Sequence, residues 1–286
     1  MEVVVMGCGP SSAIPALRCV LAGKCKVCLE AHVNPLSKNR RLNPSLLVHN
    51  TRTNANILID CGKTFRESVL RRFDSTVDAT TGESIKKPHE PMGLHCSALT
   101  QQELNGKFEY LMEKEEERAQ REANITPVPF RWVAKLQWKL FDWFKPFTVC
   151  GLDVVPFPVT HGKGYLSSGF EFGAEFAVRF VYISDVSEFT DEARAYLNDA
   201  TKPQIDTLII DALYVENYHS THMNLMDVVR EIRTIRPKRT LLTGMSHEFD
   251  YDRESAKLRE ISETEGLCIE MAYDGMRLSY PSALQN

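Results

Sequence analysis

The sequence predicts a mixed α/β fold in which two packed sheets are covered by helices, and three observations carry that expectation. Short apolar runs of strand length recur along the chain, separated by turn residues. Two of them, 45–49 and 57–60, are joined by the polar connector Asn50-Thr51-Arg52-Thr53-Asn54-Ala55-Asn56, which suits a hairpin. Helical segments come late in each half, as strand–helix units able to cover the outer faces of the sheets.

The elements follow in order. Residues 3–6 read as a buried strand, followed by the sharp Gly7-Cys8-Gly9-Pro10 loop. A polar, unpatterned stretch at 74–91 is expected to be a flexible loop within a single domain spanning 1–286. Residues 100–123 carry a helical pattern, and the almost wholly charged segment 113–121 is expected to face solvent. Trp132, Trp138, Trp143, Phe141, Phe144 and Phe147 cluster around an expected helix that closes before Pro146. Such an aromatic stripe reads as packing rather than as a ligand site. Strand signals return at 148–159, 169–172, 176–184 and 207–213. A helix at 224–236 closed by Pro237, a strand at 240–243, a helix at 253–264 and closing strands at 268–273 and 276–280 complete the chain.

With 286 residues, 43% hydrophobic and 25% charged, the chain has the composition of a globular protein with a sizeable core. A net charge of −4 gives no general bias toward nucleic acid or an anionic membrane. The one local basic run, Lys38-Asn39-Arg40-Arg41, reads as a solvated loop. No apolar run approaches a membrane span. The first six residues read as a strand rather than a targeting segment. Most of the eight cysteines are scattered singly, so the expected compartment is reducing and cytoplasmic. The oligomeric state is open.

Three cysteines do cluster. Cys19, Cys25 and Cys28 lie within ten residues, and Cys25-Lys26-Val27-Cys28 has the spacing that lets two thiolates reach one tetrahedral zinc. Spacing alone supplies no fourth ligand, since His32 offers only Cys-x3-His. A structural zinc ranks ahead of three unrelated cysteines and of a redox dithiol, because the latter opens a helix after a strand and Ala22-Gly23-Lys24 reads as loop. A second set is spread along the chain: His161, Asp185, Asp211 and His247 each fall at or just past the end of an apolar strand. A sandwich would build a metal or acid–base site along one edge in this way.

The order of several short blocks makes the chain similar to a known family. These are Gly7-Cys8-Gly9-Pro10-Ser11-Ser12-Ala13-Ile14-Pro15, the cysteine cluster, Asn39-Arg40-Arg41 with Ser45-Leu46-Leu47-Val48, and Ile57-Leu58-Ile59-Asp60-Cys61-Gly62. Later come Pro158-Val159-Thr160-His161, Tyr182-Ile183-Ser184-Asp185, Asp211-Ala212-Leu213, Ser220-Thr221-His222-Met223-Asn224-Leu225, Thr243-Gly244-Met245-Ser246-His247 and Ala272-Tyr273-Asp274-Gly275-Met276. Together they resemble metallo-β-lactamase-fold hydrolases, in particular the branch containing the cyclic phosphodiesterase of bacterial phosphonate breakdown. The resemblance covers 1–73 and roughly 92–280. It implies a four-layer αββα sandwich. It also implies that His161 and Asp185 bind the catalytic metal, zinc or manganese, and that His222 donates a proton to the leaving oxygen. By the same resemblance, His247 completes the structural zinc site with Cys19, Cys25 and Cys28, and Asp60 supports the metal loop.

Two departures from the family pattern stand out. Its His-x-His-x-Asp-His signature is absent, and the chain contains no His-x-His at all. Where the signature belongs, the chain reads Phe73-Asp74-Ser75-Thr76-Val77-Asp78-Ala79-Thr80-Thr81-Gly82, as though a strand and its metal loop were missing. His89 and His95 are poor substitutes. Gly244 stands where two-metal members carry a histidine. A zinc hydrolase needs about three protein ligands and an open position, whereas His161 and Asp185 offer two, so a tightly held catalytic zinc or manganese is not expected.

Other chemistries find no support. Gly7-x-Gly9 lacks the third glycine of a dinucleotide loop, and neither a Gly-x-Ser-x-Gly elbow nor a Walker lysine is present. The expected function is thus metal-dependent hydrolysis of a small-molecule, phosphodiester or ester substrate at a degraded site. The alternative is a non-catalytic, zinc-stabilised fold.

Overall fold

The computed structural model describes residues 1–72, 91–112, 114–123 and 135–281. The loop expected at 74–91 lies, but for Pro91, outside the described residues, as do His89 and Trp132. The strands are β1 Glu2–Gly7, β2 Ser45–Asn50, β3 Ala55–Ile59, β4 Met92–Cys96, β5 Leu136–Leu140, β6 Phe147–Val149 and β7 Leu152–Thr160. They continue with β8 Leu166–Phe172, β9 Phe180–Ile183, β10 Glu188–Phe189, β11 Thr207–Asp211, β12 Thr240–Thr243, β13 Ile269–Met271 and β14 Arg277–Ser279. The chain divides into two compact units, one made of 1–74 with 146–286 and the other of 75–145.

The larger unit holds two sheets. The first has the order β14-β1-β2-β3 and is antiparallel throughout, with the expected hairpin β2–β3 in register from Leu46↔Ile59 to Asn50↔Ala55. The second has the order β10-β7-β8-β9-β11-β12-β13, with β6 paired to β7. Val3 and Val5 of the first sheet, with Leu46 and Val48, enter the same buried core as Phe157, Phe172 and Phe180 of the second. The two sheets therefore share one core, as the sequence leads one to expect. Two sheets around one core is the arrangement that the family resemblance implies.

Strand chemistry explains the layering. β11 is parallel to both β9 and β12, and all five of its residues are buried. Parallel strands covered on both faces require such continuous apolar runs. The cover is supplied in part by the helix Leu225–Ile235, whose Leu225, Val228, Val229, Ile232 and Ile235 recur at helical spacing and are buried. Asn224 and Asp227 form a capping box at its start, and Arg236 closes it in the left-handed conformation.

The smaller unit pairs β4 and β5 in parallel and carries the helices Ala98–Phe108 and Glu115–Glu122. Here the sequence reading needs correction. The aromatic-rich segment expected to be a helix is a strand at 136–140, with Trp138 opposite Leu94 in the ladder. Its aromatic spacing suits both periods, and pairing with β4 decides the matter. In the larger unit, the helices Leu17–Ala22, Lys26–Val33, Phe65–Arg72 and Asp191–Leu197 are additions to the sequence reading. Among the described residues, no helix is long and apolar enough to cross a membrane.

Candidate metal centres

The first centre is built by two short helices and a distant loop. Gly23 ends the helix Leu17–Ala22 in the left-handed conformation, and Cys25 caps the next, its Sγ accepting from Cys28 N at 3.4 Å. The Cys25–Cys28 pair thus does open a helix, but after another helix rather than a strand. Cys28 is buried, and its Sγ accepts from Ala16 N at 3.4 Å. Burial pushes this thiol up to about 12, partly opposed by the Ala16 hydrogen bond and raised further by Cys25 and Cys19. The loop after β12 brings His247 Nδ1 to 3.1 Å from Cys19 Sγ and 3.7 Å from Cys28 Sγ.

One ligand atom from each of Cys19, Cys25, Cys28 and His247 lies within 4.8 Å of all the others. Three sulfurs and one nitrogen at this separation could hold one tetrahedral cation, and this donor set suits zinc. Backbone N–H groups directed at two of the sulfurs are the bonds a thiolate accepts. His32 is exposed on the helix Lys26–Val33 and is not among the four.

The second centre lies along one sheet edge. β9, β11 and β12 run parallel, so their carboxyl ends align, and β7 runs in the same direction with β8 antiparallel between them. His161 follows β7, Asp185 follows β9, Asp211 ends β11 and Gly244 follows β12. Ligand sites in such sheets form outside the carboxyl ends of the strands. These residues border a cleft of about 490 Å³ whose wall also includes Asp60 and Lys63.

The connection from β11 to the helix Leu225–Ile235 carries His222 into this cleft. Met223 N donates to Val186 O at 2.8 Å and Leu213 N to Met223 O at 2.9 Å, which fixes the loop. His222 Nδ1 lies 2.5 Å from Asp211 Oδ2, leaving Nε2 for the cleft. Ligand atoms of His161, Asp185 and His222 all lie within 4.8 Å of one another. Two buried polar atoms here, His161 Nδ1 and Asp211 Oδ1, have no hydrogen-bond partner among the described residues. Unpartnered polar atoms at a cluster of two imidazoles and a carboxylate fit a divalent cation.

The electrostatics divide the carboxylates. Burial raises Asp211 to about 7, although His222 opposes the shift by hydrogen bond and charge. Burial alone would lower His222, but the Asp211 bond and the charges of Asp211 and Asp185 outweigh it, leaving the imidazole raised. Asp60 follows β3 with φ of 66° and accepts from Tyr182 Oη at 3.0 Å. The residue as a whole is exposed. Burial of its carboxyl raises it to about 6, against hydrogen bonds from Ser184 and Tyr182.

Two features escaped the sequence reading. Asp211 was noted as a strand-end residue, but its pairing with His222 appears only in the fold. His219 lies beside His222 with ring centroids 5.3 Å apart and the planes tilted by 49°, and its Nδ1 is 3.0 Å from Thr221 Oγ1. The His219-x2-His222 spacing was the available signal. Gly244 has a φ of 71°, and a side chain added there would run into Asp211 Oδ1. The position is closed to the histidine expected in two-metal relatives unless Asp211 moves. His95 lies in β4 of the other unit.

Comparison with solved structures agrees on the fold. A diphosphatase from the PhnP family is similar with a TM-score of 0.71 and 22% identity, covering 99% of each chain. Zinc-bound PqqB from Methylobacterium extorquens gives a TM-score of 0.65 and 15% identity over 98% of this chain and 100% of that one. The short form of human tRNase Z gives 0.55 and 14% over 98% and 100%. At these identities the likeness is one of fold. No curated protein sequence matches the chain. The family described as the beta-lactamase superfamily domain matches residues 55–245, well over half of the chain. The chain therefore belongs to the beta-lactamase superfamily.

Proposed function

We propose that the protein is a metal-dependent hydrolase of phosphodiester or ester substrates whose catalytic centre is reduced to a single cation site, beside a structural zinc on Cys19, Cys25, Cys28 and His247. One observation carries the catalytic part: His161, Asp185 and His222 converge on one cleft, with the buried Asp211 behind His222. His161 and Asp185 would hold the cation. A bound divalent cation supplies Lewis-acid polarisation of the phosphoryl or carbonyl oxygen and a water activated near neutral pH.

The remaining chemistry belongs to the chain. Asp211 fixes the His222 tautomer and favours its protonated form, which places His222 to give a proton to the leaving oxygen. His219 lies against His222, where its own protonation is disfavoured first by burial and then by the charges of His222 and His161. The similar folds of a diphosphatase and a tRNase Z support a phosphate-ester substrate class.

A second reading has its own support. The cysteine–histidine cluster is the one four-donor set found among the described residues, and no His-x-His exists to complete a catalytic pair. On that reading the chain is a non-catalytic, zinc-stabilised fold. Turnover of an aryl phosphodiester by the zinc-loaded chain, with manganese or zinc added in excess, separates the two. Slow hydrolysis that Asp185→Ala abolishes and His222→Gln lowers at least tenfold supports the hydrolase. No hydrolysis at any metal concentration leaves the non-catalytic fold.

A further inference from the structure

Arg41 does not behave as the solvated-loop residue its sequence context suggests. It is 0% exposed and ranks among the largest fully buried side chains of the protein, and neighbouring Asn39 is buried with it. Burying a guanidinium costs several kcal/mol unless its donors and its charge are both met. Its two terminal nitrogens bond chiefly to the loop that carries His247, while Nε has no hydrogen-bond partner among the described residues. Nη1 donates to Ser246 O at 3.0 Å, and Nη2 donates to Phe249 O at 2.7 Å and to Asn39 Oδ1 at 3.3 Å. The two carbonyls lie on either side of His247 in the chain, so the fork clamps the loop across its ligand.

The backbone of the same residue holds the other half of the cluster. Arg41 N donates to Ile14 O at 3.0 Å, and Ile14 N donates to Arg41 O at 2.7 Å. Ile14 packs in a small core with Val27, Cys28 and Ala31, against partly buried Cys19 and Cys25. A single residue is therefore bonded both to the loop that supplies the nitrogen and to Ile14, which packs against the cysteines. Its charge has a counterpart as well. Burial works against that charge, and Cys8, Asp274, Asp250 and Cys28 favour it in that order.

We propose that Arg41 is the positioning residue of the Cys19, Cys25, Cys28 and His247 site, clamping the His247 loop against the segment that carries the sulfurs. This rests on the structural-zinc part of the proposed function. Outer partners of metal ligands are typically worth about 10- to 100-fold in affinity. A residue that merely filled the core would alter folding without changing the metal's coordination.

The experiment uses the full chain and its Arg41→Met and Arg41→Lys variants. Zinc is competed against a chromophoric chelator, and cobalt(II) is loaded in its place to read thiolate charge-transfer and ligand-field bands, with circular dichroism to follow folding. Arg41→Met is expected to lose about 10- to 100-fold in zinc affinity and to shift the cobalt bands away from three-sulfur, one-nitrogen coordination. Arg41→Lys, keeping the charge without the fork, is expected to recover part of the affinity. If Arg41→Met does not fold, a loss in folded Arg41→Lys carries the same test. In a His247→Ala background the Arg41 substitution should cost far less, because the ligand it positions is gone. Wild-type zinc affinity and cobalt spectra in the folded Arg41 variant, or an equal cost with and without His247, would overturn the proposal. A wild-type chain that binds no zinc would overturn the structural-zinc reading itself.

Discussion

A carboxylate with no solvent and an imidazole on one oxygen cannot titrate alone. Asp211 and His222 share a contact of 2.5 Å, and both are raised, Asp211 by burial to about 7 and His222 by its carboxylate neighbour. The folded, metal-free protein thus binds protons that an unfolded aspartate releases at about 4. The stability this pair contributes is then fully present below that value and is lost as pH rises toward about 7, by on the order of 4 kcal/mol. Chemical denaturation of the metal-free chain from pH 4.5 to 7.5 should show this slope, and Asp211→Asn should flatten it. A slope unchanged in the variant would place the titrating group elsewhere. Residues of this kind are only half legible in a sequence. Asp185 and His161 announce themselves by ending apolar strands, and His222 and His247 through the family blocks. The Asp211–His222 bond and the clamp made by Arg41 are products of tertiary packing, and a basic run looks the same in sequence whether solvated or buried.

Elements were legible where their pattern was long and their ends were marked. The helix Leu225–Ile235 combines a five-residue apolar stripe, a capping box and a following Pro237, and the sequence places it within a residue at each end. The helices Leu17–Ala22 and Lys26–Val33 are short, and the first buries no residue. The first also lacks a side-chain cap at its start. No periodic signal was available for them; their packing surrounds the cysteine cluster instead. The cap at Asn224 also has functional weight, since it begins two residues after His222. Its side chain accepts from Asp227 N at 3.0 Å while Asp227 Oδ2 accepts from Asn224 N at 3.3 Å. Asn224→Ala should cost about 1 kcal/mol in urea unfolding. In an active chain it should also raise the Michaelis constant or lower turnover through His222. A cost below 0.2 kcal/mol, on the order of error, would show that the cap is redundant.

At the scale of the whole molecule, two sheets around one core were readable from alternating and continuous apolar runs, and the superfamily match over 55–245 agrees with them. The residues of both clusters were also visible in outline, the cysteines by spacing and the strand-end residues by position. The sequence alone could not show that His247, more than 200 residues from the cysteines, reaches them, or that a side chain at Gly244 would collide with Asp211. On the proposed function, this chain completes one metal site and only partly equips the other. Metal content of the purified chain by elemental analysis, after dialysis against a weak chelator, tests it most directly. One zinc per chain is expected, lost in Cys25→Ser and retained in His161→Ala. Two tightly held metals, or a zinc that departs with His161 and stays with Cys25 replaced, would contradict it.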